Sequence, residues 1–444
     1  MKTFAPFASP LYVMTKPVGS LCNLRCKYCY YLEKSNVFVK PEEQSEACFD
    51  SALARKSRMK SNLYAQQPPT ERFSMSDQTL ETFIRQYIEA QTQPQVLFTW
   101  HGGEPLMRPL SFYKRVLELQ RRYARGHIID NCLQTNGTLL TDEWCQFFRE
   151  NHWLIGISID GPQEFHDEYR RSQGNQPSFY KVMRGIRLLQ KHGVEWNAMG
   201  VVNDFNADYP LDVYHFYKEN GCKYIQFAPI IERILPHADG RHLASAAERT
   251  AGNLAPFSVT PEQYAHFCCT IFDEWVLNDV GQVFIQLFDS TLARWAGEQP
   301  GVCSMAETCG HAGVIEHNGD VYSCDHFVFP EYLLGNIHRD TLTAMMYSDR
   351  QRQFGRAKRD GLPRQCRQCQ WLFACNGGCP KDRFCQTSDG EPSLNYLCRG
   401  FRQFFAHVAP YMDFMKNELL HQRPPANVME WARESLSVSF TNKK

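Results

Sequence analysis

From Leu11 to about Ile231, short runs rich in β-branched and aromatic residues alternate with longer amphipathic stretches of helical period. That alternation marks repeated βα units around a parallel sheet. Strands are predicted at 11–15, 96–100, 129–135, 154–160, 196–202 and 224–229, with helices between them at 77–91, 111–124, 141–151, 179–192 and 209–220. Ser76 or Asp77, Ser111 and Thr141 are suited to cap helix starts, and Gly193 and Gly221 stand where helices should stop. Six βα units predict an α/β fold, a partial (β/α)6 barrel of the TIM type, whose ligand site would lie at the C-terminal ends of the strands. The polar residues of interest do fall there: Gly102-Gly103-Glu104-Pro105 after the second strand, Asn136-Gly137 after the third, Ser158 and Asp160 at the fourth, and Ile231 after the sixth.

Two stretches break the pattern. Residues 41–76 are polar and irregular, with Gln66, Gln67, Pro68 and Pro69, and are expected to form an inserted surface excursion. Residues 237–260 are read as a linker or substrate-facing loop, followed by a helix at 261–279. The expected organisation is a barrel over 1–235, linker and helices over 236–300, a small cysteine-rich domain over 301–400 and a C-terminal helical tail over 401–444. No internal repeat is evident.

Composition narrows the class. The 48 Lys and Arg balance the 48 Asp and Glu in a chain of 444 residues, which gives no reason to expect a nucleic-acid or membrane-surface partner. Residues 1–10 lack the pattern of an export signal, and no apolar run approaches a membrane span, so a cytoplasmic protein is expected. Eighteen cysteines in that compartment are expected to be metal ligands or buried thiols rather than disulfides.

The first constellation is Cys22-x-x-x-Cys26-x-x-Cys29, just after the first predicted strand and among Tyr28, Tyr30 and Tyr31. Three thiolates are one short of a closed [4Fe-4S] cluster and leave one iron open to a small molecule. A structural zinc site wants four N or S ligands, which a lone triad does not supply. The motif resembles the radical S-adenosylmethionine superfamily. That resemblance implies S-adenosylmethionine at the open iron and its cleavage to a 5′-deoxyadenosyl radical, chemistry that would suit an anaerobic or facultative bacterium.

A second field comprises Cys303, Cys309, Cys324, Cys366, Cys369, Cys375, Cys379 and Cys398. Eight thiolates suffice for two complete [4Fe-4S] clusters, while Cys366-x-x-Cys369 alone is as compatible with a zinc knuckle. The whole pattern resembles the SPASM domain. By that resemblance Cys303, Cys309, Cys324 and Cys379 would hold one auxiliary cluster and Cys366, Cys369, Cys375 and Cys398 the other, making three [4Fe-4S] clusters in all. Cys48, Cys132, Cys145, Cys222, Cys268, Cys269 and Cys385 stand outside it and are read as buried thiols.

Asp325 follows Cys324 directly, and is either a turn residue or a proton acceptor beside an electron-accepting cluster. With that pair, the stretches Leu133-Gln-Thr-Asn-Gly-Thr-Leu, Ile157-Ser-Ile-Asp-Gly-Pro, Tyr224-Ile-Gln-Phe and Leu394-Asn-Tyr-Leu-Cys make the whole chain similar to the anaerobic sulfatase-maturating enzymes, close to the Bacteroides type. The resemblance implies oxidation of a Ser or Cys in a sulfatase active-site motif to Cα-formylglycine. It implies Asp325 as base, a sulfatase polypeptide as substrate, and a reduced donor such as ferredoxin or flavodoxin. Tyr28, Gly103, Ser158, Arg170 and Ile231 would contact S-adenosylmethionine, although Ser158 could equally satisfy backbone, Ile231 could be core and Arg170 part of a solvated face. His101 departs from the Gln common before Gly-Gly-Glu-Pro in related maturases. Two rivals stay open: another SPASM-type peptide modifier such as a thioether-crosslink maturase, and a non-enzymatic Fe-S or zinc regulatory protein.

Overall fold

The computed structural model describes residues 11–34, 73–235, 242–244 and 252–441. The excursion expected at 41–76 lies outside these residues up to its last turn, as do Cys48 and much of the 237–260 linker. All six expected strands form: β1 (Tyr12–Thr15), β2 (Gln95–Trp100), β3 (Ile128–Thr135), β4 (Leu154–Ser158), β5 (Trp196–Val202) and β6 (Tyr224–Pro229). They pair in parallel in chain order. The strand β4 stops at Ser158, so Asp160 belongs to the loop beyond it.

The helices Asp77–Glu89, Leu110–Tyr123, Asp142–Glu150, Phe179–His192 and Pro210–Glu219 cross between the strands. Ser76 accepts from the Thr79 N–H and Thr141 from the Trp144 N–H, capping two of them as expected. Ser111 does not cap: its helix begins one residue earlier, with Pro109 at the capping position, where no side chain can accept a bond. Gly193 closes its helix in the left-handed conformation at φ +65°. A further helix, Gln163–Tyr169, is too short to show a sequence period, yet it leads into Arg170.

The small strands β7 (Arg233–Leu235), β8 (His242–Leu243) and β9 (Asn253–Leu254) form a separate sheet, and β10 (Phe284–Ile285) extends the main one beyond β6. On the other edge β11 (Ala312–Ile315) pairs in parallel with β1, setting Tyr12 opposite Ala312 and Thr15 opposite Ile315. The antiparallel strands β12 (Asp320–Tyr322) and β13 (Leu333–Asn336) follow it. The cysteine-rich region, aperiodic in sequence, thus continues the barrel's own sheet and covers the edge that β1 would expose.

The core lies between this sheet and the crossing helices. Trp100, Tyr113, Trp144, Phe148 and Trp153 pack largely edge to face, and each fully buried ring contributes on the order of 2 to 3 kcal/mol. The expected helix at 261–279 forms as Pro261–Asn278, opened by a Thr260–Gln263 capping box. It packs against Cys398–Leu420 so closely that a Cβ on Gly400 would sit 2.3 Å from the Pro261 carbonyl oxygen. Among the described residues no helix is long and apolar enough to cross a membrane.

Candidate active site

The Gly102-Gly103-Glu104 run at the end of β2 lies beneath the loop that carries Cys22. The Gly103 N–H donates to the Gly19 carbonyl and the Glu104 N–H to that of Leu21, both at 2.8 Å. A Cβ on Gly103 would come within 2.0 Å of the Leu21 oxygen, so only glycine allows this approach. Glu104 is wholly buried and ties the ends of β2 and β3 together. Its carboxylate accepts from the Leu106 N–H (2.9 Å), the Thr135 hydroxyl (2.8 Å) and the Asn136 N–H (2.8 Å). Burial lifts its pKa to about 7 against those three bonds, which favour the charged form. Asn136 donates onward to Asn23 and, at 3.7 Å, to the Cys22 sulfur.

Across the strand ends Asp160 gathers three partners. Tyr28 donates its hydroxyl at 2.5 Å, Arg170 closes on both carboxylate oxygens at 2.8 and 3.0 Å, and the Val201 N–H adds a bond at 2.8 Å. Arg170 is therefore buried and ion-paired, not part of a solvated face. Two of its three nitrogens are committed to Asp160, the carboxylate that also accepts from Tyr28. Ser158 accepts from Gln134 at 3.0 Å, and Ile231 is buried with its carbonyl accepting from Lys381 at 2.9 Å.

The thiols gather in three groups along the expected lines of the fold, and Cys385 also stands near Cys398. Cys22, Cys26 and Cys29 lie close enough that, after burial, neighbouring thiolates add to the upward push on the Cys22 and Cys26 thiols. Cys303 likewise adds to the push on Cys309, Cys324 and Cys379, and Cys369 to that on Cys366, Cys375 and Cys398. Donors are aimed at the sulfurs: the Leu24 N–H at Cys22 (3.3 Å) and the Gln365 amide at Cys398 (3.8 Å). Thiols gathered within one another's field, most of them half-buried, with N–H groups pointed at two of them, fit anionic iron–sulfur ligands. Among the described residues no three His, Cys, Asp or Glu side chains are gathered tightly enough to hold a single metal ion. Cys145, Cys222 and Cys268 are buried as expected, whereas Cys132, Cys269 and Cys385 are only half-buried.

Asp325 is held at the C-terminal end of β1 by the β11–β12 hairpin. Lys16, the first residue after β1, reaches Asp325 Oδ1 at 2.5 Å and Glu316 at 3.1 Å. Tyr30 and Tyr31 each donate to Oδ2 at 2.6 Å, and Lys34 stands 3.6 Å from Oδ1 while bonding the Asp325 carbonyl. Burial opposes ionisation of Asp325, but the Lys16 and Lys34 charges outweigh it and hold the carboxyl well below its ordinary range. Lys34 is itself brought down to about 8, first by burial and also by Lys16, against the pull of Asp325. His101 accepts from the Gly102 N–H at 2.8 Å and lies 3.3 Å from the Tyr31 hydroxyl; burial lowers its pKa.

Residues 17–217 match the Radical SAM superfamily model, and residues 303–370 match SPASM, an iron-sulfur cluster-binding domain. A serine-type anaerobic sulfatase-maturating enzyme of Bacteroides thetaiotaomicron is 64% identical over 439 residues, covering 99% of each chain. This chain belongs to the anaerobic sulfatase-maturating enzyme family. Its kinship extends to the cysteine-type enzyme of Clostridium perfringens, 30% identical over 92% of this chain and 99% of the relative. The solved structure of native anSMEcpe with bound AdoMet and Cp18Cys peptide superposes with a TM-score of 0.74 at 28% identity, covering 92% of this chain and 100% of that one. SuiB of Streptococcus suis bound to S-adenosylmethionine shares the fold, with a TM-score of 0.53 at 13% identity over 88% of this chain and 77% of that one. Membership makes this a radical S-adenosylmethionine, iron–sulfur enzyme.

In this maturase a small, partly open pocket of about 30 Å³ adjoins the Asp325 cluster, lined by Tyr30, Lys34, Ile231, Glu232, His326 and Lys381 among others. Sequence reading missed Lys16, Lys34 and Glu316. The one available signal was a charged residue directly after an apolar strand at both Lys16 and Glu316, which suggests a buried pair without saying that a third residue joins it.

Proposed function

We propose that this chain oxidises the target serine of a sulfatase polypeptide to Cα-formylglycine, working in the cytoplasm with a reduced donor such as ferredoxin or flavodoxin. The observation that carries the reading is an ionised Asp325, clamped by Lys16, Tyr30 and Tyr31, beside a small pocket that Tyr30 and Lys34 line. The preference for serine over cysteine rests on the 64% identity to a serine-type enzyme.

Cys22, Cys26 and Cys29 would hold the open cluster, with Tyr28, Gly103, Ser158, Arg170 and Ile231 around S-adenosylmethionine. Cys303, Cys309, Cys324 and Cys379 would hold a second cluster and Cys366, Cys369, Cys375 and Cys398 a third. When bound, the open cluster and S-adenosylmethionine supply hydrogen-atom abstraction at the serine Cβ. Asp325 then takes the hydroxyl proton, and the eight auxiliary cysteines would hold the clusters that supply an acceptor for the last electron. One hydrogen atom, one proton and one electron account for the two hydrogens lost between alcohol and aldehyde. Lys16 and Lys34 keep the acceptor charged between turnovers, while the two tyrosines fix which oxygen faces the substrate.

The test is anaerobic incubation with S-adenosylmethionine, reductant and paired peptides carrying Ser-x-Pro-x-Arg or Cys-x-Pro-x-Arg. Aldehyde trapping should show faster turnover of the serine peptide. Absence of both 5′-deoxyadenosine and aldehyde would overturn the activity, and a faster cysteine peptide would overturn the preference alone.

A further inference from the structure

Two buried cations stand beside the auxiliary thiols, Lys358 at one set and Arg383 at both. Lys358 is 1% exposed and Arg383 4%. Neither has a carboxylate of the described residues within ion-pair distance, unlike Lys16 or Arg170. Lys358 Nζ donates to the carbonyls of Cys303 and Ser304 at 2.8 Å and to that of Ala306, clamping the turn that presents Cys303. Arg383 donates to the carbonyls of Gly377 (2.9 Å), Asn376 (2.8 Å) and Gly378 (3.2 Å), the loop between Cys375 and Cys379. That loop bends through three left-handed residues, Asn376, Gly377 and Gly378, to wrap the guanidinium. Arg383 also bonds the Lys358 carbonyl at 2.5 Å, joining the two cations into one unit.

A buried charge without a partner is among the costliest features a fold can carry. Backbone carbonyls solvate such a charge but do not neutralise it. The anions within reach are sulfurs: Lys358 lies in the field of Cys303, Cys309 and Cys379, and Arg383 in that of thiols from both sets, Cys366, Cys309, Cys379 and Cys375. A four-thiolate [4Fe-4S] centre is a dianion when oxidised and becomes a trianion on gaining one electron, so a fixed cation beside it favours the reduced form.

We infer that Lys358 and Arg383 are the built-in counter-charges of the two auxiliary centres and raise their reduction potentials, so that each accepts the electron released by substrate oxidation. Arg383, which faces both sets, acts on both centres at once. The inference rests on the reading of the eight cysteines as two cluster sites.

The experiment is an EPR-monitored redox titration of anaerobically purified holoprotein in which Cys22, Cys26 and Cys29 are replaced by Ala, so that only the auxiliary signals remain. Arg383→Gln and Lys358→Gln should each lower an auxiliary midpoint potential by at least a tenfold loss in the reduction equilibrium, about 59 mV for one electron. Arg383→Lys and Lys358→Arg, which keep the charge, should restore most of it. Unchanged potentials at full iron and sulfide content would overturn the inference. Should the Gln variants fail to retain iron, loading in the Lys and Arg variants supports a counter-charge role, and equal failure in them overturns it in favour of shape alone. A parent protein without two auxiliary clusters' worth of iron and sulfide would instead refute the cluster reading and the inference with it.

Discussion

At the scale of single residues, the site is a contest between burial and charge. Asp325 stays ionised because Lys16 and Lys34 outweigh burial, so Asp325→Asn is expected to retain S-adenosylmethionine cleavage while aldehyde formation falls by about 100-fold or more. Quantifying 5′-deoxyadenosine and aldehyde in the same reaction checks this, and parallel loss of both would refute the assigned role. Glu104 shows the opposite balance, with burial lifting its pKa from 4.5 to about 7. The folded protein then binds more protons than the unfolded chain between those values, so stability falls as pH rises through the window. The stability of wild type relative to Glu104→Gln should drop by about 3 kcal/mol from pH 4.5 to above 7, measured by anaerobic denaturant unfolding. These residues divide what sequence could disclose: the cysteine triad and Asp325 lay in legible local motifs, whereas Lys16 meets Glu316 and Asp325 across some 300 positions of chain. No local pattern reports a partner that distant.

Elements were more legible than their junctions. Strands β5 and β6 and the helix Phe179–His192 form with the expected bounds, because apolar period and glycine stops act locally. The strands β11 to β13 were missed because each is short and follows cysteines whose spacing masks any alternation. Their pairing is decided by the open edge of β1, which is tertiary information. Helix packing behind the auxiliary sites is equally tight: Gly400→Ala would drive a methyl into the Pro261 carbonyl and push Cys398, two residues away, off its position. It should cost about 1 to 3 kcal/mol and release iron from the auxiliary region, as followed by unfolding and metal analysis.

Across the whole molecule, the two matched families meet in one sheet of ten strands. Ending the chain at residue 300 would strip β1 of its neighbour, bare Val13 and strand Lys16 in the interior without Glu316 or Asp325. Such a truncation is expected to yield aggregated protein, where an independent barrel would stay monodisperse in size-exclusion chromatography. The continuity of β1 with β11 has one more consequence. On the proposed reading, the spacing between the place where carbon loses its hydrogen and the Asp325 carboxylate is ruled by ladder register, like teeth on a rack. A one-residue slip of β11 along β1 would therefore carry Asp325 out of reach of Lys16, so the register of this one edge sets the geometry on which the proposed chemistry depends.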